Sequence, residues 1–146
     1  MSVKVPHRKR SLHRRSVICP NVNTLETTLS LDPQYVTGLC EGGASFTFGR
    51  VPRGVRLRFS LKLREADQAL ALGLQRFFGV GGIYPRWQYC VTNRAELRRI
   101  IDHFEHFPLC GRKAERYSTW KRIYQLGASP SNWLETQELI AQLGTE

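Results

Sequence analysis

Asp32-Pro33-Gln34-Tyr35-Val36-Thr37-Gly38-Leu39-Cys40-Glu41-Gly42-Gly43-Ala44-Ser45-Phe46-Thr47-Phe48 is the stretch whose reading decides the fold. Asp32 is a good helix N-cap, and Pro33 suits the first helical position, where its missing N–H has no partner to lose. Tyr35, Val36, Leu39 and Cys40 then fall on one helical face. Gly38 and Gly42 are four residues apart and stack on one side. Each glycine weakens a helix by about 1 kcal/mol relative to alanine, so the pair implies a packing purpose: close approach of another backbone. The helix is expected to end at Gly42-Gly43. Ser45, Phe46, Thr47 and Phe48 then alternate polar and apolar, which is strand periodicity.

Outward from this stretch the chain keeps the same grammar. Ala44 to Arg50 reads as a strand and 51–54 as a turn containing Pro52 and Gly54. Val55 to Leu63 is the cleanest strand: Val55, Leu57, Phe59, Leu61 and Leu63 alternate with Arg56, Arg58, Ser60 and Lys62. A helix opens at Ala66 or Asp67 and stops at Gly79. Gly81 to Tyr84 and Trp87 to Val91 form a second hairpin about Pro85-Arg86. Asn93 caps a third helix, with Glu96 at capping-box spacing, and Phe107-Pro108 ends it. A fourth helix opens at Arg112 or Lys113. After a linker over Gly127 to Pro130, an amphipathic helix covers Asn132 to Leu143. This order, αββαββα plus C-terminal helices, describes an α+β domain with a four-stranded antiparallel sheet packed on helices. The expected divisions are a basic arm over 1–31, a core domain over 32–126 and a C-terminal helix over 127–146.

The chain has 146 residues and a formal net charge of +10, which points to a polyanionic partner. Lys4, Arg8, Lys9, Arg10, Arg14 and Arg15 are concentrated at the N-terminus with no acid before Glu26. Such an arm suits phosphate neutralisation, a solvated extension or an organelle transit segment. In the second strand the wet face carries Arg56, Arg58 and Lys62 with no acid, and Arg50 and Arg53 precede it. A solvated sheet face usually mixes signs, so this one favours nucleic acid. Arg86 in the second hairpin joins the candidate contacts, and Tyr84, Trp87 and Tyr89 could stack on bases or fill the core. The four cysteines lack CxxC spacing and read as reduced thiols. His103, His106 and Cys110 fall short of a zinc set, and His103 reads as a surface residue. No apolar run is long enough to span a membrane.

The run Gly38 to Phe46 resembles the motif of the LAGLIDADG homing endonucleases and intron maturases, whose common form is Gly-Leu-Ile-Asp-Gly-Glu-Gly-Ser-Phe. Thr37 stands where the motif has alanine. Phe77 to Ile83 is similar to that family's stretch between its second helix and third strand. Phe107-Pro108-Leu109-Cys110-Gly111-Arg112-Lys113 resembles its Tyr-Pro-Leu-x-x-x-Lys run, with Tyr117 and Trp120 following. The resemblance covers about residues 33 to 126. It implies the αββαββα fold, motif helices that pack on each other through Gly38 and Gly42, and, for one motif of this length, a homodimer or another protein partner.

The resemblance also implies phosphodiester hydrolysis by divalent metal, such as Mg2+, held by an acid at the motif's eighth position. That position is Gly43, and Leu63 stands near where many relatives carry a glutamine. Glu41, two residues earlier, points about 200° away around a helix. Lys113 matches the family's lysine near the scissile phosphate, and it can equally bind nucleic acid by holding an RNA phosphate. The expectation is therefore a catalytically degenerate protein that binds RNA, ribosomal or intron, in a mitochondrion or chloroplast, with no metal or cofactor. The alternative is an intron-encoded homodimeric DNA endonuclease using Mg2+, with Glu41 and Lys113 as its catalytic candidates.

Overall fold

A computed structural model describes residues 29–144. Helix α1 spans Pro33–Gly43 and begins as its cap chemistry predicts: Asp32 accepts from the N–H groups of Gln34, at 2.8 Å, and Tyr35, at 3.2 Å. It runs straight into β1, Ala44–Val51, which turns at Pro52-Arg53 into β2, Gly54–Lys62. A single 3-10 turn, Glu65–Asp67, leads into α2, Gln68–Phe78, closed by Gly79 in the left-handed conformation at φ 68°. Strands β3, Gly82–Tyr84, and β4, Gln88–Val91, form the second hairpin. Helix α3 is Arg94–His106, α4 is Gly111–Leu126, and α5 is Trp133–Gly144 after a 3-10 turn at Pro130–Asn132.

The strands form one antiparallel sheet in the order β1-β2-β4-β3. Phe46 pairs with Phe59, which pairs in turn with Val91, and Leu61 pairs with Tyr89. This apolar face carries the core, which includes buried Phe46, Phe59, Tyr89, Phe104, Trp120 and Leu74. Phe46 is its hub, with ring centroids 5.4 Å from Phe59, 5.4 Å from Tyr117 and 5.4 Å from Trp120. Helix α5 places Ile140 and Leu143 in the same core, so the C-terminal helix packs with the domain it follows.

Edge strand β1 is covered by α4. Lys113 Nζ donates to the Ala44 carbonyl, Arg116 Nε to that of Phe46 at 3.2 Å, and Trp120 Nε1 to that of Thr47 at 3.0 Å. Their i, i+3, i+7 spacing places all three donors on one helix face. The row satisfies strand carbonyls and shields β1 from edge-to-edge pairing.

Several local readings are corrected by tertiary contacts. On α1 the buried residues are Val36, Thr37 and Cys40, whereas Tyr35 is 51% exposed and Leu39 half-buried. Trp87 lies in the turn at φ 54°, beside Arg86 at φ 66°, and not in the strand. Glu96 does not close a capping box. Asn93 caps alone, accepting from Ala95 N–H at 2.9 Å, while Glu96 Oε2 accepts from Gly81 N–H at 3.2 Å. Gly81 is needed there: φ is 81°, and a Cβ would sit 2.7 Å from the Cys90 carbonyl oxygen.

Candidate nucleic-acid interface

Opposite the core, the sheet presents a polar face. Strand register puts Ser45, Thr47 and Gly49 of β1 across from Ser60, Arg58 and Arg56 of β2, and Lys62 across from Gln88, which pairs with Tyr84. Arg56, Arg58 and Lys62 are exposed as expected, and Ser60 is screened to 6% exposure between them. No carboxylate falls on this face in the paired register. Arg58 is not a free-swinging cation: its Nη2 donates to the thiol of Cys90 at 3.1 Å.

Two expected members of the cationic face sit elsewhere. Arg50 pairs with Val55, which places it on the parity of the core-facing residues at the end of the sheet. Arg53 lies in the β1–β2 turn and lines a groove with Trp133 and Pro130 near α5. Arg86 is exposed in the β3–β4 turn. Among the aromatics, Tyr84 is 46% exposed, whereas Tyr89 is buried with its hydroxyl donated to the Val80 carbonyl at 2.7 Å. Lys4, Arg8, Lys9, Arg10, Arg14 and Arg15 lie outside the described residues.

At the foot of α1, Glu41 accepts a hydrogen bond from the backbone N–H of Cys110, and Lys113 is bound to the Ala44 carbonyl. Glu41 thus ties α1 to the start of α4, and Lys113 belongs to the row along β1. The divalent metal that the family resemblance implies does not fit the residues present. Gly43 offers no ligand, and a Cβ there would meet the terminal Cδ1 of Leu61 at 2.9 Å, so a side chain at this position requires Leu61 to shift. Glu41, the nearest acid along the motif, holds the Cys110 N–H through Oε1. Burial pushes the neighbouring Cys40 thiol up to about 12, which Lys113 partly opposes, so it is not a nucleophile.

Gly38 and Gly42 behave differently from Gly43. A Cβ on either would meet nothing within 4 Å. With Tyr35, Leu39 and Leu70 they line an open depression of about 390 Å³. The close helix contact expected of the glycines is not made within the described residues, so this face is available to another surface.

His103 departs most from its sequence reading. It is 8% exposed, with Nε2 3.0 Å from Thr37 Oγ1, and Thr37 donates to the Phe107 carbonyl at 3.0 Å. With the single hydroxyl proton given to Phe107, His103 Nε2 carries a hydrogen and donates to Thr37. Burial, then the charge of His106, lowers its pKa to about 4. The sequence signal lay in Thr37: a hydroxyl at a buried helix position needs partners.

A motif helix feeding a four-stranded antiparallel sheet packed on helices is the α+β fold that the resemblance implied. The chain belongs to the LAGLIDADG endonuclease family, whose model matches residues 36–124, more than half of the chain. It is 25% identical over 138 residues to the Neurospora crassa protein described as "Probable intron-encoded endonuclease 3", covering 86% of this chain and 25% of that one. It is 28% identical over 110 residues to the Podospora anserina "Uncharacterized 50.9 kDa protein in ND4 intron 1", covering 66% of this chain and 24% of that one. The chain thus spans about a quarter of the length of the curated relatives it matches. The fold is shared with the homing endonuclease I-TnaI, at TM-score 0.72 and 23% identity, covering 80% of this chain and 90% of that one. It is also shared with the meganuclease I-CpaMI bound to uncleaved DNA, at TM-score 0.71 and 24% identity, covering 80% of this chain and 45% of that one.

Proposed function

We propose that this chain is a duplex-DNA-binding unit of the homing-endonuclease type. It lays the outer face of β1-β2-β4-β3 on DNA and docks through the exposed side of α1 on a second motif helix. The observation that carries this reading is the pairing of an acid-free cationic sheet face, Arg56, Arg58 and Lys62, with an open glycine face at Gly38 and Gly42. DNA is favoured over the RNA expected from sequence because solved proteins of this fold are described as bound to DNA and the curated relatives as endonucleases. We place it in a mitochondrial setting, a reading supported by the relative described as lying in an ND4 intron.

The motif has glycine, Gly43, where the resemblance places the metal-binding acid, so this unit contributes recognition, and any hydrolytic acid at that place comes from the partner helix. The test is binding of purified protein to a random duplex pool, followed by incubation of the selected duplex with Mg2+. Sequence-selective binding without cutting by this chain alone is expected. Magnesium-dependent double-strand cleavage that disappears in Glu41→Gln would instead establish the homodimeric enzyme. Selective retention of RNA over duplex DNA would return the function to a ribonucleoprotein role, the reading favoured by the basic arm.

A further inference from the structure

We infer that Arg58, held in place by Cys90, reads a guanine in the DNA that the sheet face binds. This rests on the duplex-DNA reading above and assigns one residue within it a base-specific task.

Arg58 stands on β2, an inner strand, level with Thr47 on β1. Cys90 pairs with Ser60, two residues further along β2, so the Arg58 side chain leans diagonally toward β4 to reach the thiol at 3.1 Å. That places the guanidinium over the middle of the sheet. A β-ribbon entering the roughly 12 Å major groove turns its middle toward base edges and its margins toward phosphates. Arg86, in the β3–β4 turn, is by contrast placed for a phosphate.

The thiol contact supplies the second half of the argument. Arginine loses rotamer freedom when a partner fixes it, and a group already fixed loses less on binding. Cys90, at 3% exposure, takes one of the two Nη2 hydrogens and leaves the other beside a parallel N–H, that of Nε or of Nη1, on the same edge of the guanidinium. Those remaining donors form the fork that matches O6 and N7 of guanine. A phosphate contact has no need of such fixing, because a swinging cation finds a phosphate oxygen from many directions. No carboxylate on the paired face competes for the fork.

The test takes the best duplex selected by the full chain and measures binding to it and to all its single-base-pair variants, at several salt concentrations. Arg58→Gln is expected to lose about 5- to 150-fold of discrimination at one G·C position, with other positions and the salt slope nearly unchanged. Cys90→Ala, which leaves Arg58 intact, is expected to lose several-fold at that same position. Cys90→Ser, which restores an acceptor, is expected to recover most of it. Melting curves of Cys90→Ala and Cys90→Ser separate a positioning effect from a packing one. A uniform loss in Arg58→Gln across all sequences, with the salt slope reduced by about 1, would make Arg58 a phosphate contact and overturn the inference. Unchanged discrimination in Cys90→Ala would overturn the role of Cys90. If the wild-type chain selects no duplex at all, the functional reading falls and this inference with it.

Discussion

The hydroxyl of Thr37 on α1 lies 3.0 Å from His103 Nε2 on α3 and donates its own hydrogen bond to the Phe107 carbonyl. One buried chain of two hydrogen bonds thus joins the motif helix to the end of α3. Ala, the residue the motif would have at 37, could not make it. Thr37→Val keeps the volume and leaves the imidazole N–H and the Phe107 carbonyl without that partner. A loss of about 1–3 kcal/mol is expected in urea denaturation.

The same imidazole sets a pH dependence. Its folded pKa, about 4, lies below the ordinary 6.5, so between these values the unfolded chain binds more protons than the folded one. Stability therefore rises with pH across that window and is complete above about 6.5. It falls as pH drops from 6.5 toward 4, by about 3 kcal/mol in all. His103→Gln should flatten this part of a stability–pH curve.

Three glycines near one helix end should respond in opposite directions. Gly38→Ala and Gly42→Ala meet open space and should raise stability by up to about 1 kcal/mol each. Gly43→Ala drives a Cβ against Leu61 and should cost about 1 kcal/mol or more. Thermal melts of the three variants test the ordering. Gly38→Leu should leave the fold intact and abolish any concentration-dependent association seen by sedimentation.

Trp120 fills the core beneath Phe46 and ties α4 to β1 through its indole N–H. Trp120→Ala should cost about 3–5 kcal/mol, measurable as loss of the cooperative unfolding transition at moderate urea. Trp120→Phe keeps much of the volume and frees the Thr47 carbonyl. A smaller loss, about 1–2 kcal/mol, is expected.

Glu41 offers a direct separation of structure from chemistry. Its carboxylate accepts from Cys110 N–H, so Glu41→Gln retains a carbonyl acceptor and should change stability by less than about 1 kcal/mol. Glu41→Ala strands that donor and should cost about 1–2 kcal/mol. DNA binding should survive in both once the melts are corrected for.

The sequence alone determined what is local. Asp32-Pro33 starts α1 because a side-chain oxygen and a fixed φ act within four residues, and the alternation of Val55 to Leu63 separates core from wet face because strand side chains have a period of two. The family likeness of Gly38 to Phe46 was legible for the same reason, since the helix-to-strand junction is one continuous segment. Only the tertiary structure decided what depends on partners distant in the chain. His103 is a core residue because Thr37, 66 positions away, and the ring of Phe107 enclose it. Glu96 binds Gly81 and not its own cap, Lys113 joins a row of strand-edge donors, and Arg50 falls on the core-side parity. The three glycines look alike in sequence, but Leu61 of a neighbouring strand fills the space at Gly43 while nothing approaches Gly38 or Gly42. No spacing along the chain encodes that difference, because it is set by which atoms the folded sheet brings against each face.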